Sequence, residues 1–229
     1  MFYRKIVYEQ QRKISYSKNV DTYALFVSTF FYPQGLRAFF KISALLRDDL
    51  RVLDAGCGTG IVTFALIDAL RYHNYSFCTV HGFDLTPAMH TRFQEQLDER
   101  DITNVHLRQA DVLKLEHLPS SWANYNLIVS ASMLEYIPKK DFVAALIALR
   151  TRLSGQGSFL LFVTRKNWLT KLLIEHLWSA NRYSRQELLD AFIAAGFGNL
   201  TFKKFPLPYF WLNQWGYIIE GRPLYAKAT

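Results

Sequence analysis

The chain has 229 residues, half of them hydrophobic, and a formal net charge of +8. This apolar content supports a large core and excludes a disordered chain, and the length favours one domain with additions over two domains. The charge is uneven, because residues 1–50 carry +4, residues 51–149 carry −3 and residues 150–229 carry +7. Since 11 of the 36 aromatic residues also lie in the first of these segments, the basic ends hint at an anionic or interfacial partner.

The cysteine and histidine content argues against a disulfide framework and against a metal site. Cys57 and Cys78 are the two cysteines, no Cys-x-x-Cys motif occurs, and the six histidines lack metal-ligand spacing. The first 15 residues carry charges throughout and lack the apolar core of a signal peptide. Residues 22–35 form an uncharged, largely apolar stretch that is too short to span a bilayer. We therefore expect a soluble, cytoplasmic protein without a bound metal.

Apolar periodicity and turn residues divide the chain into helices and strands. In chain order, the pattern predicts helices over 23–31 and about 35–47, a strand over 51–54, a helix over 61–71, a strand over 79–84, a helix over 86–100, strands over 105–109 and 125–130, a helix over 141–153, a strand over 157–164, helices over 168–178 and 184–196, and strands over 200–205 and about 211–219.

Several of these boundaries depend on individual residues. Pro33 is expected to break the first helix, and Thr86 is expected to cap the helix that has Pro87 at its first position. Gly155 is expected to stop the helix over 141–153. Ser184 and Glu187 have the spacing of a capping box.

The alternation of strands and helices indicates βαβ units and a parallel sheet. The apolar runs at 125–130 and 158–163 suit central strands that are covered on both faces. After residue 165 the alternation changes, and a final antiparallel strand fits a seven-stranded sheet. The sequence therefore predicts an α/β fold.

A glycine-rich turn directly after the strand at 51–54 is the most informative stretch. Gly56, Gly58 and Gly60 follow one another at every second position, whereas a dinucleotide-binding turn has its last glycine three positions after the second. Asp54 lies two residues before this turn, where its carboxylate would repel a pyrophosphate. The turn therefore suits a cationic ligand without phosphate, such as S-adenosylmethionine, and disfavours a dehydrogenase.

Two further acids follow the next two strands. Asp84 ends the second strand, where an acid can accept from both hydroxyl groups of a ribose. Asp111 and Val112 follow the third strand, where an acid can accept from the adenine amino group and an apolar neighbour can cover the ring. Each acid alone could cap a helix or close a turn. Together with Asp54 they follow three successive strands, whose carboxyl ends meet at one edge of a parallel sheet.

These motifs resemble those of the class I S-adenosylmethionine-dependent methyltransferases, especially the branch that acts on small molecules and lipids. The resemblance spans residues 50 to about 200 and lies in the stretches VLDAGCGTG, FDLTPAM, QADVLKL, YNLIVSASMLEYIP and RYSRQELLDAFIAAGF. It implies a Rossmann-like, seven-stranded, mostly parallel sheet with a reversed last strand and helices on both faces. It also implies S-adenosylmethionine as cofactor and S-adenosylhomocysteine as product.

The resemblance further implies roles for individual residues. Ser130, at the end of the fourth strand, would lie beside the methionyl and methyl-donor region. The acceptor side has four weaker candidates, for each of which simple packing is the alternative: Glu135, Tyr136, Tyr16 and Tyr23. The remaining cofactor residues are Asp54, Gly56, Cys57, Gly58 and Gly60 around the methionyl part, Asp84 and Leu85 at the ribose, and Asp111 and Val112 at the adenine.

The domain organisation predicted from these patterns has a cover and a core. Residues 1–48 form an N-terminal helical cover or lid, and residues 49–229 form the cofactor-binding domain, with a lid helix at about 167–180. Both covers are basic and aromatic, so they could close over an apolar acceptor or lie on an anionic membrane surface. Packing of both helices on the core is the alternative.

Three functions remain open at this point. The first is direct in-line methyl transfer to a small apolar or amphiphilic acceptor, which needs a general base only if the acceptor loses a proton. The second is an RNA methyltransferase that uses the basic flanks, although the fourth-strand motif lacks the Asn/Asp-Pro-Pro-Tyr of enzymes that methylate base amines. The third is a cofactor-binding partner subunit without catalysis. The acceptor and the oligomeric state stay undetermined.

Overall fold

The computed structural model describes residues 31–76, 79–167 and 180–224. These residues form a seven-stranded sheet in the order β3-β2-β1-β4-β5-β7-β6. Strands β1 to β5 are parallel to one another, whereas β7 runs antiparallel to both β5 and β6. This arrangement confirms the predicted α/β fold with a reversed last strand. The strands are β1 (Val52–Ala55), β2 (Val80–Asp84), β3 (Val105–Gln109), β4 (Tyr125–Ala131), β5 (Leu153–Thr164), β6 (Phe197–Lys203) and β7 (Gly216–Pro223).

Helices cover both faces of this sheet, as predicted. They are α1 (Tyr32–Lys41), α2 (Ile61–Tyr72), α3 (Pro87–Asp98), α4 (Phe142–Arg150) and α5 (Arg185–Ala194). The first three contribute to one hydrophobic cluster, and the last two contribute to a second cluster on the other face. The predicted helix over 168–178 and all but the last residue of that over 23–31 lie outside the described residues.

The central strands explain the long apolar runs in the sequence. In β4, Leu127 and Val129 point into one cluster and Ile128 into the other, and all three are buried. Because successive side chains of a strand face opposite sides, both sides of a covered strand must be apolar. Each such side chain contributes about 1.5–3 kcal/mol through burial.

The first described helix differs from its prediction. Pro33 lies in the first turn of α1 rather than before it. Proline is tolerated there because the amide groups of the first turn have no carbonyl partner within the helix. The helix also ends at Lys41 rather than near residue 47. At α3, Thr86 occupies the position before Pro87, but its side chain makes no capping hydrogen bond.

The later elements also shift. Helix α4 ends at Arg150, and Gly155 lies inside β5, which is four residues longer than the predicted strand. Residues 210–214 form a short 3₁₀ helix instead of the start of the last strand. The predicted capping box is present, since Ser184 accepts from the amide of Glu187 and the Glu187 carboxylate accepts from the amide of Ser184.

Candidate functional site

A cleft opens where β1 to β4 end. It holds about 740 Å³ of space, part of which is open to solvent. Its lining residues come from the turns after these four strands and from the start of α3. They are Gly56, Gly58, Phe83, Asp84, Leu85, Thr86, Met89, Ala110, Asp111, Val112, Ala131, Ser132, Met133 and Tyr136.

The glycine turn requires glycine for two physical reasons. Gly56, Gly58 and Gly60 all have positive φ angles, of 76°, 51° and 88°, a conformation that other residues adopt at a cost. A Cβ at Gly56 would come within 2.3 Å of Met133, and one at Gly60 within 2.2 Å of Phe93. A Cβ at Gly58 would have no atom within 4 Å. The first and third glycines thus permit close packing, and the second faces open space in the cleft.

Asp84 is held in place by the turns on either side of it. Its Oδ2 accepts from the amide of Gly58 at 3.0 Å, and its Oδ1 accepts from the amide of Thr86 at 2.8 Å. Burial raises the pKa of Asp84, and the hydrogen bonds from Thr86 and Gly58 oppose that rise. The carboxyl group therefore has a fixed orientation in the cleft, and each oxygen retains a lone pair for a ligand.

Asp111 and Val112 lie together in the wall of the cleft after β3. Oδ1 of Asp111 accepts from the amide of Leu113 at 3.0 Å, which caps a short 3₁₀ helix over Val112–His117. Val112 is buried beside it. Asp111 thus closes a turn and also lines the cleft, so the turn-closing role and the binding role are compatible.

Asp54 is buried, and only one of its two carboxyl oxygens accepts a hydrogen bond from the described residues. Its Oδ2 accepts from the hydroxyl of Thr63 at 2.7 Å, but its Oδ1 has no hydrogen-bond partner within the part of the chain that the structure describes. Burial raises its pKa to about 7. A buried, unpaired carboxyl oxygen is costly, and a cationic ligand group would satisfy it. Asp54 itself is not among the residues that line the cleft.

Three other predicted residues lie close to the cleft without lining it. Cys57 is buried, and its side chain lies so close to Gly82 that a Cβ there would contact its sulfur. Burial raises the pKa of the Cys57 thiol. Gly60 packs on Phe93. Ser130 is fully buried within β4, and the cleft is lined instead by the residues that follow it.

The lining residues that the sequence did not predict lie at or just after the ends of β2, β3 and β4. They are Phe83, Thr86, Met89, Ala110, Ala131, Ser132 and Met133. Thr86 precedes α3, and Met89 lies in its first turn. Each of these residues is close in sequence to a predicted one, and ligands bind at the carboxyl ends of the strands, so this position could have identified them.

The acceptor-side candidates separate in the structure. Tyr136 lines the cleft, whereas Glu135 is buried and binds the end of β5. The Glu135 carboxylate accepts from the amide and from the hydroxyl of Thr164, at 2.7 and 3.0 Å. Burial raises the pKa of Glu135 to about 7. Tyr16 and Tyr23 lie outside the described residues.

The turn after β4 also anchors the chain near the predicted lid helix. The amide of Asn181 donates to the carbonyl of Glu135 at 2.7 Å, and the Asn181 side chain donates to the carbonyl of Ile137 at 2.6 Å. Tyr183 pairs with the backbone at the end of β5, since its amide donates to the carbonyl of Thr164. The chain that follows residues 168–179 is therefore bound beside the turn that carries Tyr136.

The part of the chain that the structure describes holds neither a candidate metal site nor a membrane-spanning helix. Residues 31–76, 79–167 and 180–224 contain no group of three or more His, Cys, Asp or Glu side chains that could hold a metal ion. In the same ranges, no helix combines the length and the apolar character needed to cross a membrane.

The comparisons with known proteins fit this geometry. Residues 52–157 match the model of a family described as a methyltransferase domain. No curated protein sequence is significantly similar to the chain.

Several solved structures share the fold at low sequence identity. PigF with SAH has a TM-score of 0.72 and 23% identity, over 92% of this chain and 61% of that one. Magnesium protoporphyrin IX methyltransferase (ChlM) from Synechocystis PCC 6803 with bound SAM has a TM-score of 0.61 and 16% identity, over 86% and 81%. CurJ carbon methyltransferase has a TM-score of 0.62 and 16% identity, over 82% of this chain and 51% of that one. The chain thus spans about half the length of CurJ, and likeness at these identities establishes the fold.

Proposed function

We propose that this chain, whose residues 52–157 match a methyltransferase-domain family, is a class I methyltransferase that methylates a small apolar or amphiphilic acceptor directly. S-adenosylmethionine is the cofactor of this class and supplies a methyl group bound to a sulfonium. One observation carries the choice of acceptor: none of the described residues that line the cleft is Lys or Arg, and the charged ones are Asp84 and Asp111. An RNA acceptor needs cationic side chains along its path, whereas Met133 and Tyr136 suit an apolar acceptor.

The ribose and adenine parts of the cofactor are assigned to the two acids in the wall. Asp84 accepts from both ribose hydroxyls in this assignment, because each of its oxygens is bound to one amide and keeps a lone pair. Leu85 lies beside it in the lining. Asp111 accepts from the adenine amino group, and Val112 packs on the ring. The support for this assignment is that all four residues line one cleft.

The methionyl part is assigned to the glycine turn. Gly56 and Gly58 give this part of the cleft a wall without side chains, and the unpaired, buried Oδ1 of Asp54 calls for a cationic group such as the methionyl ammonium. Three predicted cofactor residues do not line the cleft, and we assign them to support the glycine turn and the end of β4: Cys57, Gly60 and Ser130.

The remaining task of the protein is to orient the acceptor and to exclude water. Tyr136 is the described acceptor-side candidate that reaches the cleft, and we assign its phenol to orient the acceptor. Glu135 is assigned a positioning role, because its carboxyl group joins the turn that carries Tyr136 to the end of β5. Orientation of this kind can contribute several kcal/mol to a displacement reaction.

Residues 1–48 and a lid helix at about 167–180 are proposed to cover the acceptor. Helix α1, the described part of the first segment, packs on the core, where a Cβ at Gly35 would lie 2.2 Å from Leu212. One described contact supports the lid helix. Asn181, just beyond the lid segment, binds the backbone of the turn after β4.

The test is to follow a labelled methyl group from S-adenosylmethionine into separate fractions of a cell extract. We expect label in the organic-soluble, small-molecule fraction, and expect Tyr136→Phe to lower the rate while leaving the affinity for S-adenosylhomocysteine unchanged. Transfer of label to RNA, with steep dependence on salt, would favour the nucleic-acid alternative and overturn the proposal. Cofactor binding without transfer into any fraction would favour the non-catalytic partner subunit.

A further inference from the structure

The connection between β6 and β7, residues 204–215, carries exposed apolar side chains at its tip. We call it the apolar loop. Leu207 is 78% exposed and Phe210 is 59% exposed, and Pro208 between them is also exposed. Single exposed apolar residues are ordinary on protein surfaces, but several within one short loop indicate a contact surface.

The apolar loop is held in this conformation by its own contacts. The side chain of Asn213 accepts from the amide of Phe205 at 2.9 Å and donates to the carbonyls of Phe205 and Phe210 at 3.2 and 2.8 Å. Phe205 and Leu212 are buried, and the ring of Phe205 contacts those of Tyr32, Phe39 and Phe162. Because these anchors occupy the inward positions, Leu207 and Phe210 remain outside.

Aromatic rings with polar atoms lie next to this tip. The ring of Trp211 lies 5.7 Å from that of Tyr209 and 6.0 Å from that of Phe210, and both Trp211 and Tyr209 are half-buried. Tyr and Trp favour the boundary between lipid headgroups and hydrocarbon, because their rings are apolar and their O–H and N–H groups are not.

The charge around the apolar loop is positive. The sequence has no acidic residue between Asp190 and Glu220. Lys204 and Lys166 are exposed, and the guanidinium of Arg165 donates to the carbonyl of Asn213 in the loop. Basic side chains beside an apolar, aromatic tip match an anionic lipid surface, where each cation contributes about 1 kcal/mol.

The apolar loop also lies at the edge of the sheet that carries the cleft. Gly216, directly after the loop, pairs with Thr164 at the end of β5. Thr164 in turn binds Glu135, the neighbour of Tyr136. A lipid surface on this loop would therefore face the side of the protein on which the acceptor is proposed to enter.

We propose that the apolar loop docks this protein on an anionic lipid surface, with Leu207 and Phe210 inserted among the lipids. The sequence patterns predict such a contact for other segments, the covers at residues 1–48 and about 167–180. Entry of an amphiphilic acceptor from the bilayer rests on the proposed function, but lipid binding by the loop does not.

The experiment is co-sedimentation of the full chain with vesicles of phosphatidylcholine, alone or mixed in equal parts with phosphatidylglycerol. We expect binding to the anionic vesicles, and expect Leu207→Ser combined with Phe210→Ser to weaken it at least about tenfold. Lys204→Glu should weaken binding at low salt. Ile193→Ser is the matched control, because Ile193 is 61% exposed on α5 and outside the loop.

The affinity of each variant for S-adenosylhomocysteine is measured in parallel, so that a loss of folding or of the cofactor site is distinguished from a loss of lipid binding. Equal lipid binding by wild type and the double variant, or no binding by wild type, would overturn the proposal. A dimer that the double substitution dissociates, without any lipid binding, would instead assign the loop to a second copy of the chain.

Discussion

Glu135 accepts two hydrogen bonds from one residue, the amide of Thr164 at 2.7 Å and its hydroxyl at 3.0 Å. This pair joins the turn after β4, which carries Tyr136 into the cleft, to the end of β5. Both carboxyl oxygens are thereby used inside the protein, and the group is buried. Glu135, which the sequence predicts on the acceptor side, thus has contacts that suit a residue that positions Tyr136.

The first prediction concerns the pH dependence of stability. Burial raises the pKa of Glu135 from 4.5 to about 7, so between these values the folded protein binds a proton that the unfolded chain has released. Protonated Glu135 therefore adds to the free energy of unfolding, fully below pH 4.5, and this stabilisation is lost as the pH rises through about 7. The free energy of unfolding should fall by on the order of 3 kcal/mol over this range.

Glu135→Gln isolates this effect, because a glutamine can accept from the Thr164 amide and donate to its hydroxyl. We expect the free energy of unfolding of the variant, measured in urea, to fall less than that of wild type across this window. Asp54 titrates in the same range and remains in both proteins, so their difference reports Glu135. If the free energy of unfolding falls equally with pH in wild type and in Glu135→Gln, the prediction is contradicted.

The second prediction concerns Asp84 and the ribose. Asp84→Ala removes an acceptor whose hydrogen bonds are each worth about 1.5–3 kcal/mol, so the affinity for S-adenosylhomocysteine should fall at least about tenfold by calorimetry. Asp68→Ala is the control, since Asp68 pairs with Arg37 at the surface. The 2′-deoxy ligand should bind wild type more weakly but the Asp84→Ala variant without further loss. Undiminished binding in Asp84→Ala would refute the ribose assignment.

The position of Asp84 could be predicted from the sequence because it depends on local rules. The carboxyl ends of parallel strands meet at one edge, and Asp54, Asp84 and Asp111 lie at or just beyond the ends of three such strands. The structure brings Asp84 and Asp111 into one lining. Whether a side chain faces the cleft depends on strand parity and on its neighbours, which is why Ser130 is buried while Ala131 lines the cleft.

The apolar loop could not be predicted for a related reason. Residues 211–219 are predicted to form a strand because they are apolar and aromatic, yet residues 210–214 form a 3₁₀ helix. The side chain of Asn213 binds backbone groups at Phe205 and Phe210, and such contacts compete with sheet pairing. No periodic pattern in the sequence records them.

The third prediction separates two glycines of the same turn. Gly58→Ala should lower the free energy of unfolding by about 1–2 kcal/mol, the cost of a left-handed conformation, because its Cβ would meet nothing within 4 Å. Gly56→Ala should cost more, since its Cβ would lie 2.3 Å from Met133. Because both the Cβ and the Cγ of Met133 would lie 2.3 Å from the new methyl group, Met133→Gly should remove the extra cost of Gly56→Ala, compared with the Met133→Gly single variant. Equal losses in the two single variants, measured by urea unfolding, would show that contact with Met133 is unimportant.

The fourth prediction links cofactor binding to a proton. The pKa of Asp54 is raised to about 7 by burial, so the carboxyl group is largely protonated below that pH. If the methionyl ammonium satisfies its unpaired Oδ1, binding favours the carboxylate and releases the proton. The affinity for S-adenosylhomocysteine should therefore rise with pH up to about 7, by no more than about tenfold per pH unit.

Calorimetry in two buffers with different ionisation enthalpies measures this release directly. Asp54→Asn should abolish it, because an amide does not titrate. Methylthioadenosine is the matched ligand control: it retains the adenine and ribose but lacks the amino-acid part. Its binding reports any proton released at Asp84, whose pKa is also raised, and should release less than S-adenosylhomocysteine. Proton release that persists in Asp54→Asn, or that occurs equally with methylthioadenosine, would assign the titrating group to Asp84 and leave the buried oxygen of Asp54 without a ligand.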